Sequence, residues 1–297
     1  MRYGVLMQMY QLTFPQLEKY LFPKSIKANK ILAHFIRSLV KARLKAGDDA
    51  EQDIFSFLQR CKDWESGKRL TQIELIAETA LFIVAGADTT ATSMSAFMHY
   101  LSESSGSYRR AAREVRKTFK SREDIRIGPM LNSCTFLRAC IDEALRLSPP
   151  AASVPWREVE RGGTQIDSTA VPGGTGVGVG IYSIHHSPLY YEDPFKYEPG
   201  RWLRSELPEQ TSHTAQSSKE PHMPFLTGPR SCVGKPLAIT QLMIVAARLL
   251  WEFDFAPATG NPCWEGPDID PSEFMFEDHL SAVCHGPLLR FRVAARS

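Results

Sequence analysis

The segment 72–102 most constrains the fold, because it is long, unbroken by proline and mostly apolar. It follows "TQIE" at residues 71–74, a capping-box pattern in which Thr and Glu side chains each bond the other's backbone amide at a helix start. A helix of this length spans about 45 Å at about 1.5 Å per residue. Its section "ALFIVAGADTTATSMSAFM" is apolar nearly all round, interrupted only by Asp88 and Gly86. The pattern predicts a buried helix that crosses the middle of the molecule.

Other segments predict further helices. Residues 23–46 place apolar side chains at helical spacing with basic residues between them, which indicates an amphipathic helix ending near Gly47. Its basic face is either a contact for anionic lipid or simply solvated, and both interpretations stay open. The stretch "CTFLRACIDEALRLSPP", residues 134–150, predicts a shorter helix that ends where Pro149 and Pro150 cannot continue it.

The residue pattern changes after the proline pair. Residues 162–184 read as short strands joined by glycine turns, and residues 207–222 are polar and predict a surface loop. The fold class expected is mainly α with a small β element, an α+β fold, in a single domain of residues 1–297.

Composition limits the function classes. The chain has 297 residues, 43% apolar residues and a formal charge of +2, so a sizeable core is expected and a nucleic-acid partner is not. Its six cysteines lack CxxC or framework spacing, which indicates reduced thiols. The first residues lack both a membrane-spanning run and the order of a signal peptide, so no membrane anchor is expected within the chain.

One cysteine stands in an unusual setting. The stretch "FLTGPRSCVG", residues 225–234, holds Cys232 between two glycines, behind an arginine and before an apolar helix. Gly228 and Gly234 allow a tight turn and a close approach to a flat group, and Pro236 suits a first helical turn. A thiolate at Cys232 would lie near a helix N-terminus, which favours negative charge. A core thiol, a nucleophile and a metal ligand are the three alternatives.

The pattern F-x-x-G-x-R-x-C-x-G resembles the haem-binding signature of the cytochrome P450 family. It is filled here by Phe225, Gly228, Arg230, Cys232 and Gly234. The resemblance implies haem b as the cofactor, Cys232 as the axial ligand of its iron, and a thiolate that favours O–O cleavage. It also implies the C-terminal part of the P450 fold, with a long central helix and a buried helix after the ligand loop.

The sequence "AGADTT", residues 85–90, lies inside the long helix. Helix-interior Thr and Ser usually bond the carbonyl four residues earlier, which is the ordinary interpretation. The hexapeptide also resembles the family's oxygen-activation site, where a glycine makes room for dioxygen. The resemblance implies that Thr89 holds the proton donor for dioxygen and that Asp88 supplies the relay.

The resemblance also assigns roles to five charged residues, of which Arg230 belongs to the signature. Glu143 and Arg146 match the family's E-x-x-R, which on residue spacing alone is a routine pair on one helix face. Arg201, in "YEPGRW", would close a network that holds the shell around the cysteine loop, a task that suits arginine's bidentate geometry. Arg157 and Arg230 occupy positions that pair with haem propionates in the family.

The histidine pair is a competing metal candidate. His185 and His186 are adjacent, but no acid or cysteine keeps ligand spacing with them, so no metal site is expected there.

The resemblance implies a haem-thiolate monooxygenase of the kind that fungi use in secondary metabolism. Its partners would be dioxygen, a flavoprotein NADPH reductase as electron donor and a lipophilic small-molecule substrate. Substrate contacts are expected from residues 82–87, 151–154 and 276–280, which are mostly apolar. Family members are intracellular and usually sit on the endoplasmic reticulum membrane.

The resemblance runs from about residue 10 to the C-terminus and leaves the family's N-terminal portion without a counterpart. Its anchor, most of its sheet, its early helices and a Trp-x-x-x-Arg propionate clamp are not found in the chain. A truncated, non-catalytic remnant is therefore the rival hypothesis. A third is an isomerase or dehydratase of the same family, whose usual mark is loss of the helix alcohol, whereas Thr89 is present.

Overall fold

The computed structural model describes residues 22–47, 52–203, 221–258, 273–277, 282–284 and 286–295. The chain divides into two compact units, Met1–Ala87 and Asp88–Ser297. The predicted loop at residues 207–222 falls almost wholly outside the described residues, which resume at Pro221.

The first unit is built from helices. Helix α1 spans Pro23–Ala46 and α2 spans Ile54–Arg60, and α3, Gln72–Glu103, begins in this unit. The predicted helix at residues 23–46 is confirmed. Its buried residues Ile36 and Val40 pack with Leu75 of α3 in a small core. Other members of the predicted apolar stripe, such as Ile31, are exposed, because this core covers only part of the helix.

Helix α3 begins as predicted at a capping box. The Thr71 amide donates to the Glu74 carboxylate over 2.7 Å, and the Glu74 amide donates to the Thr71 hydroxyl over 3.3 Å. These reciprocal bonds satisfy amides that have no partner within the helix. The helix then continues to Glu103 and so matches the predicted length.

The prediction that α3 is buried throughout is wrong for its first half. Leu81 is 59% exposed and Val84 is 42% exposed, whereas burial becomes regular from Thr92 onward. An apolar helix is covered only where neighbouring elements pack on it, and in the first unit Leu75 is the one fully covered apolar side chain of α3. By length and composition α3 is also apolar enough to cross a membrane, and 11% of its most apolar stretch is buried.

The second unit has its core around one short helix. Helix α6, Thr135–Leu147, buries most of its side chains and packs against α4 and α8. The prediction of a helix ending before the proline pair is confirmed. The helices of this unit after α3 are α4 (Ser105–Thr118), α5 (Pro129–Asn132), α6 (Thr135–Leu147), α7 (Ile181–His185) and α8 (Lys235–Glu252), with short 3₁₀ turns at Arg122–Asp124, Pro199–Trp202 and Gly228–Arg230.

The strands are few and short, as the sequence predicts. In the described residues β1 (Arg157–Glu158) pairs with β4 (Gly176–Val177), β2 (Thr164–Ile166) with β3 (Thr169–Val171), and β5 (Phe253–Pro257) with β6 (Leu289–Val293), all antiparallel. The β2–β3 hairpin turns through Asp167 and Ser168, whose φ angles of 43° and 66° fit a tight turn that matches strand twist.

Two details differ from the sequence prediction. Residues 181–185 form helix α7 rather than strand, because Ile181 and His185 are four apart and are buried together. Helix α8, which was expected to be a buried helix, is buried on one face only. Its covered residues Leu242, Ala246 and Leu250 recur at helical spacing, while Leu237 and Val245 are exposed.

Candidate functional site

The cysteine loop is a tight turn closed by backbone hydrogen bonds. The Cys232 amide donates to the Phe225 carbonyl over 2.8 Å, and the Ser231 amide donates to the Gly228 carbonyl over 3.0 Å. Gly228 has a φ of 71°, a left-handed conformation that glycine adopts without strain. This local geometry explains why the loop needs Gly228, and Cys232 in the turn is exposed.

The Cys232 thiol is exposed and lies just before a helix. Helix α8 starts at Lys235, and a Cβ added at Gly234 would lie 3.6 Å from the Cys232 sulfur. Free amides at a helix N-terminus favour a thiolate. Val233, the next residue, is 88% exposed and Leu237 in the first turn of α8 is 48% exposed, so exposed apolar side chains follow the exposed cysteine along the chain. An accessible sulfur with apolar neighbours fits ligation to the iron of a flat, apolar macrocycle.

The two arginines assigned to propionates lie at the surface. Arg230 is exposed in the 3₁₀ turn two residues before Cys232. Arg157 is exposed in β1, and its guanidinium donates to the Trp156 carbonyl over 2.8 Å. Both side chains are exposed, and an arginine guanidinium suits a carboxylate.

The Glu143 carboxylate, which has no exposed surface, accepts five hydrogen bonds. Arg146 donates to both oxygens over 2.9 Å, and Arg201 donates to Oε1 over 2.9 Å. The Trp202 indole donates to Oε2 over 3.0 Å, and the Glu198 amide donates to Oε1 over 3.1 Å. The structure thus brings together Glu143, Arg146 and Arg201, and it adds two donors that the sequence analysis missed.

The missed donors had partial sequence signals. Trp202 follows Arg201 directly, and a buried indole N–H usually finds an acceptor. The Glu198 contribution is a backbone amide, which no residue-type pattern reveals.

Arg146 also binds the backbone that follows α7. Its Nη1 donates to the His185 carbonyl over 2.8 Å and to the Pro194 carbonyl over 2.6 Å, and Nη2 donates to the Lys196 carbonyl over 3.2 Å. The guanidinium lies 4.7 Å from the Tyr191 ring centre, within cation–π range. One arginine therefore ties α6 to three backbone carbonyls between His185 and Lys196.

Two histidines connect α6 and α7 to the chain ahead of the cysteine loop. The His185 ring contacts the Arg146 carbonyl through Nδ1 over 3.1 Å and accepts the Met223 amide through Nε2 over 3.0 Å. The His222 Nε2 lies 3.1 Å from the Asp142 carbonyl. Burial lowers the pKa of His185 to about 3 and that of His222 to about 4, so both rings are neutral. From the sequence alone, His185 is a candidate only for metal binding.

Asp88 and Thr89, which the resemblance assigns to oxygen activation, lie in α3 at the start of the second unit. Asp88 is exposed and Thr89 is half-buried. Downstream, Ser93 donates to the Thr89 carbonyl over 2.7 Å and Thr92 donates to the Ala282 carbonyl over 3.0 Å. Back-bonding of the ordinary kind is thus present in this helix at Ser93.

The segments expected to contact substrate are described in part. Residues 82–87 in the first unit are mostly exposed. In the second unit Ala152 is buried and its carbonyl accepts the Tyr182 amide over 3.1 Å, while Phe276 packs against the core. Residues 278–280 lie outside the described residues. Within the described ranges no group of three or more His, Cys, Asp or Glu side chains is arranged to hold a metal ion.

Comparisons with known proteins place this geometry in a family. The model of the family described as Cytochrome P450 matches residues 4–275. The chain is 56% identical over 290 residues to Cytochrome P450 monooxygenase lcsN of Purpureocillium lilacinum, covering 98% of this chain and 86% of that protein. It is 42% identical over 293 residues to Cytochrome P450 monooxygenase apf8 of Gibberella fujikuroi, covering 98% of this chain and 79% of that protein.

Solved structures agree with the fold. A structure described as retinoic acid bound cyanobacterial CYP120A1 has a TM-score of 0.76 at 26% identity, and a cytochrome P450, CYP102L1, has a TM-score of 0.75 at 21% identity. Each comparison covers 92% of this chain and 58% of the solved chain, so the chain spans little more than half of their length. The family match, the relatives and the fold lead to one conclusion: the chain belongs to the cytochrome P450 family.

Proposed function

We propose that the chain is a haem-thiolate monooxygenase that inserts one oxygen atom from dioxygen into a lipophilic substrate. The observation that carries the proposal is the exposed Cys232 in its glycine-turned loop ahead of α8. Two fungal relatives are named cytochrome P450 monooxygenases, which supports the same reaction class. An intermediate of fungal secondary metabolism is the substrate class that we propose.

The proposed cofactor is haem b, with Cys232 as the axial ligand of its iron. Bound haem would supply the activation of dioxygen, aided by the electron density of the thiolate. Arg157 and Arg230 would bind the propionates through their exposed guanidiniums. Phe225, Gly228 and Gly234 would shape the turn that presents the sulfur.

The other residues of the chain act around that ligand. Thr89 would hold a proton donor near the oxygen site, and Asp88 would exchange protons with solvent because it is exposed. Glu143, Arg146 and Arg201 would keep the backbone ahead of the cysteine loop in place through buried, charge-assisted bonds. A flavoprotein NADPH reductase is the proposed electron donor, and an intracellular location at the endoplasmic reticulum membrane is proposed from the family.

A second candidate, a non-catalytic remnant, is favoured by exposed apolar surface. Val233 and Leu237, which follow Cys232 in the chain, are exposed, and so are Leu81 and Phe82 in the first unit. Solvent access weakens control over a bound metal, and open apolar surface promotes association.

The test is to purify the full chain with added haem and to measure haem per chain and turnover. NADPH, a flavoprotein reductase, isotopically heavy dioxygen and laurate as a lipophilic probe would complete the assay. We expect substoichiometric haem and slow formation of labelled hydroxylaurate. Haem binding without any label in product, or no haem binding at all, would contradict the monooxygenase and favour the remnant.

A further inference from the structure

His185 connects the Glu143–Arg146 network to the segment just ahead of the cysteine loop. The ring has no exposed surface. One ring nitrogen, Nδ1, lies 3.1 Å from the Arg146 carbonyl, and the other, Nε2, accepts the Met223 amide over 3.0 Å. The peptide carbonyl of His185 accepts Arg146 Nη1 over 2.8 Å. This one residue therefore touches the buried network through its backbone and the loop segment through its ring.

These two ring contacts fix the tautomer of His185. A backbone amide only donates, so Nε2 must present a lone pair to Met223. A carbonyl only accepts, so Nδ1 must carry the proton that Arg146's carbonyl receives. Only a neutral ring protonated on Nδ1 satisfies both partners.

The contact at Met223 is passed on to Cys232 by the backbone. The Met223 carbonyl accepts the Leu226 amide over 3.0 Å, and the carbonyl of Phe225 accepts the Cys232 amide over 2.8 Å. The turn that carries the sulfur is thus tied by two successive bonds to the residue that His185 holds. Beyond Cys232, the Lys235 amide at the start of α8 donates to the Cys232 carbonyl over 3.3 Å.

A second imidazole supports the same segment. His222 precedes Met223, its Nε2 contacts the Asp142 carbonyl, and its ring centre lies 4.5 Å from that of Trp202. The rings of His185 and His222 are stacked with centres 5.8 Å apart. The segment His222–Met223 therefore contacts α6 through the Asp142 carbonyl and α7 through the His185 ring.

We propose that His185 is a positioning residue for Cys232, which sets the place of the ligand loop by holding the Met223 amide. The inference rests on the proposed function, since it concerns the haem ligand. It assigns the role to one atom, Nε2, and this separates it from a general packing role of a buried side chain. A packing role depends on volume, whereas the proposed role depends on an acceptor at the Nε2 position.

Two amide substitutions place the side-chain oxygen at different positions, and together with a control for the lost volume they separate these roles. In His185→Gln the side-chain oxygen can reach the Nε2 position and accept from Met223. In His185→Asn the shorter amide can reach only the Nδ1 position, so the contact with the Arg146 carbonyl is retained and the contact with Met223 is lost. The matched control is His186→Asn, because His186 is the adjacent residue, is also buried, and bonds Tyr182 rather than the loop segment.

The first readout is hydrogen exchange of the Met223 amide in the full chain without haem. We expect exchange to quicken about fivefold in His185→Asn, as for loss of one ordinary hydrogen bond, and to change little in His185→Gln and His186→Asn. Equal exchange in His185→Asn and His185→Gln would overturn the inference.

The second readout is the fraction of haem with thiolate ligation, from the spectrum of the reduced carbon-monoxide complex. His185→Asn should show a lower fraction than His185→Gln and wild type. A wild-type chain with the thiolate spectrum and both variants equal to it would contradict the inference alone. A wild-type chain without that spectrum would contradict the proposed function and the ligand-positioning role with it, while amide exchange would still decide whether His185 holds Met223.

A third measurement needs no variant and covers the case in which His185→Asn does not fold. Nitrogen-15 shifts of the His185 ring in the wild-type chain report which nitrogen carries the proton. Protonation on Nδ1 is the expected result. A ring protonated on Nε2 could not accept the Met223 amide and would overturn the inference.

Discussion

The Glu143 carboxylate and the Arg146 guanidinium face each other one helical turn apart, both without exposed surface, and are joined by two hydrogen bonds of 2.9 Å. The pair is satisfied on every side, since Arg201 and Trp202 bind the same carboxylate. A buried charge is tolerated only when it is paired and hydrogen-bonded. With these partners the pair ties α6 to the chain between His185 and Trp202.

Arg146→Ala should therefore strongly destabilise the chain. The variant leaves Glu143 buried without its bidentate partner, and losing one member of such a pair costs about 3 to 5 kcal/mol. Chemical denaturation would measure the free energy of unfolding, and haem per chain should fall as well. The control is Arg292→Ala, which removes an ion pair with Asp254 from an arginine that is 82% exposed and should cost less than about 1 kcal/mol. Similar losses in both variants would show that the Glu143–Arg146 pair is not special.

Trp202→Phe tests one donor of the network. It removes the indole N–H that Glu143 accepts over 3.0 Å and keeps most of the aromatic packing. A hydrogen bond to a charged group contributes about 1.5 to 3 kcal/mol, and the free energy of unfolding should fall by that amount. Trp64→Phe is the matched control, because Trp64 is 88% exposed. If Trp202→Phe leaves the free energy of unfolding unchanged, the indole does not bind the carboxylate in solution.

The free energy of unfolding should decrease as the pH is lowered, because two histidines are buried in the folded chain. Burial lowers the folded-state pKa of His185 to about 3 and of His222 to about 4, and the nearby charge of Arg146 acts in the same direction on both. Below the ordinary pKa of about 6.5 the unfolded chain binds protons that the folded chain does not. Between about pH 6.5 and about pH 4.5, each histidine should remove up to about 1.4 kcal/mol of stability per pH unit.

Urea unfolding at several pH values in that window measures the slope. His185→Gln should flatten it by the share of one histidine, whereas His34→Gln, at an exposed position in α1, should not. His186 also contacts this region, and its pKa is lowered by burial, so it contributes to the wild-type slope in the same direction. A slope that His185→Gln leaves unchanged would contradict a buried, neutral His185.

Thr89→Ala tests proton delivery. With reductase, NADPH and laurate, the variant should keep haem but divert reducing equivalents to peroxide instead of product, and Asp88→Asn should slow turnover. Thr90→Ala is the control, since Thr90 is the next residue of α3 and is also half-buried. If Thr89→Ala and Thr90→Ala couple electrons to product equally well, Thr89 has no special role.

Sequence patterns predicted those features of the fold that neighbouring residues in the chain determine. The capping box at Thr71 and Glu74 sets the start of α3, and Pro149 prevents α6 from continuing. Both act through the adjacent backbone. The E-x-x-R spacing likewise places Glu143 and Arg146 on one face of α6.

Burial could not be predicted in the same way. The composition of α3 is nearly uniform from Leu81 to Met98, yet its first half is exposed and its second half is buried. The difference is made by the elements that pack on the helix, and these come from distant parts of the chain.

Contacts made by backbone groups also could not be predicted from the sequence. The Glu198 amide on Glu143, and the Met223 amide on His185, depend on where the chain passes and not on its residue types. Such contacts link residues 38 or more positions apart, and only the folded structure reveals them.

Haem ligation by Cys232 is the central claim, and the spectrum of the reduced carbon-monoxide complex tests it most directly. The strongly red-shifted Soret band of a thiolate-bound haem should be present in the wild-type chain and absent in Cys232→Ser. Cys61→Ser, which changes another exposed cysteine, and Cys284→Ser, which changes a half-buried one, should keep the band. A band that survives in Cys232→Ser, or that all three variants lose equally, would contradict the account.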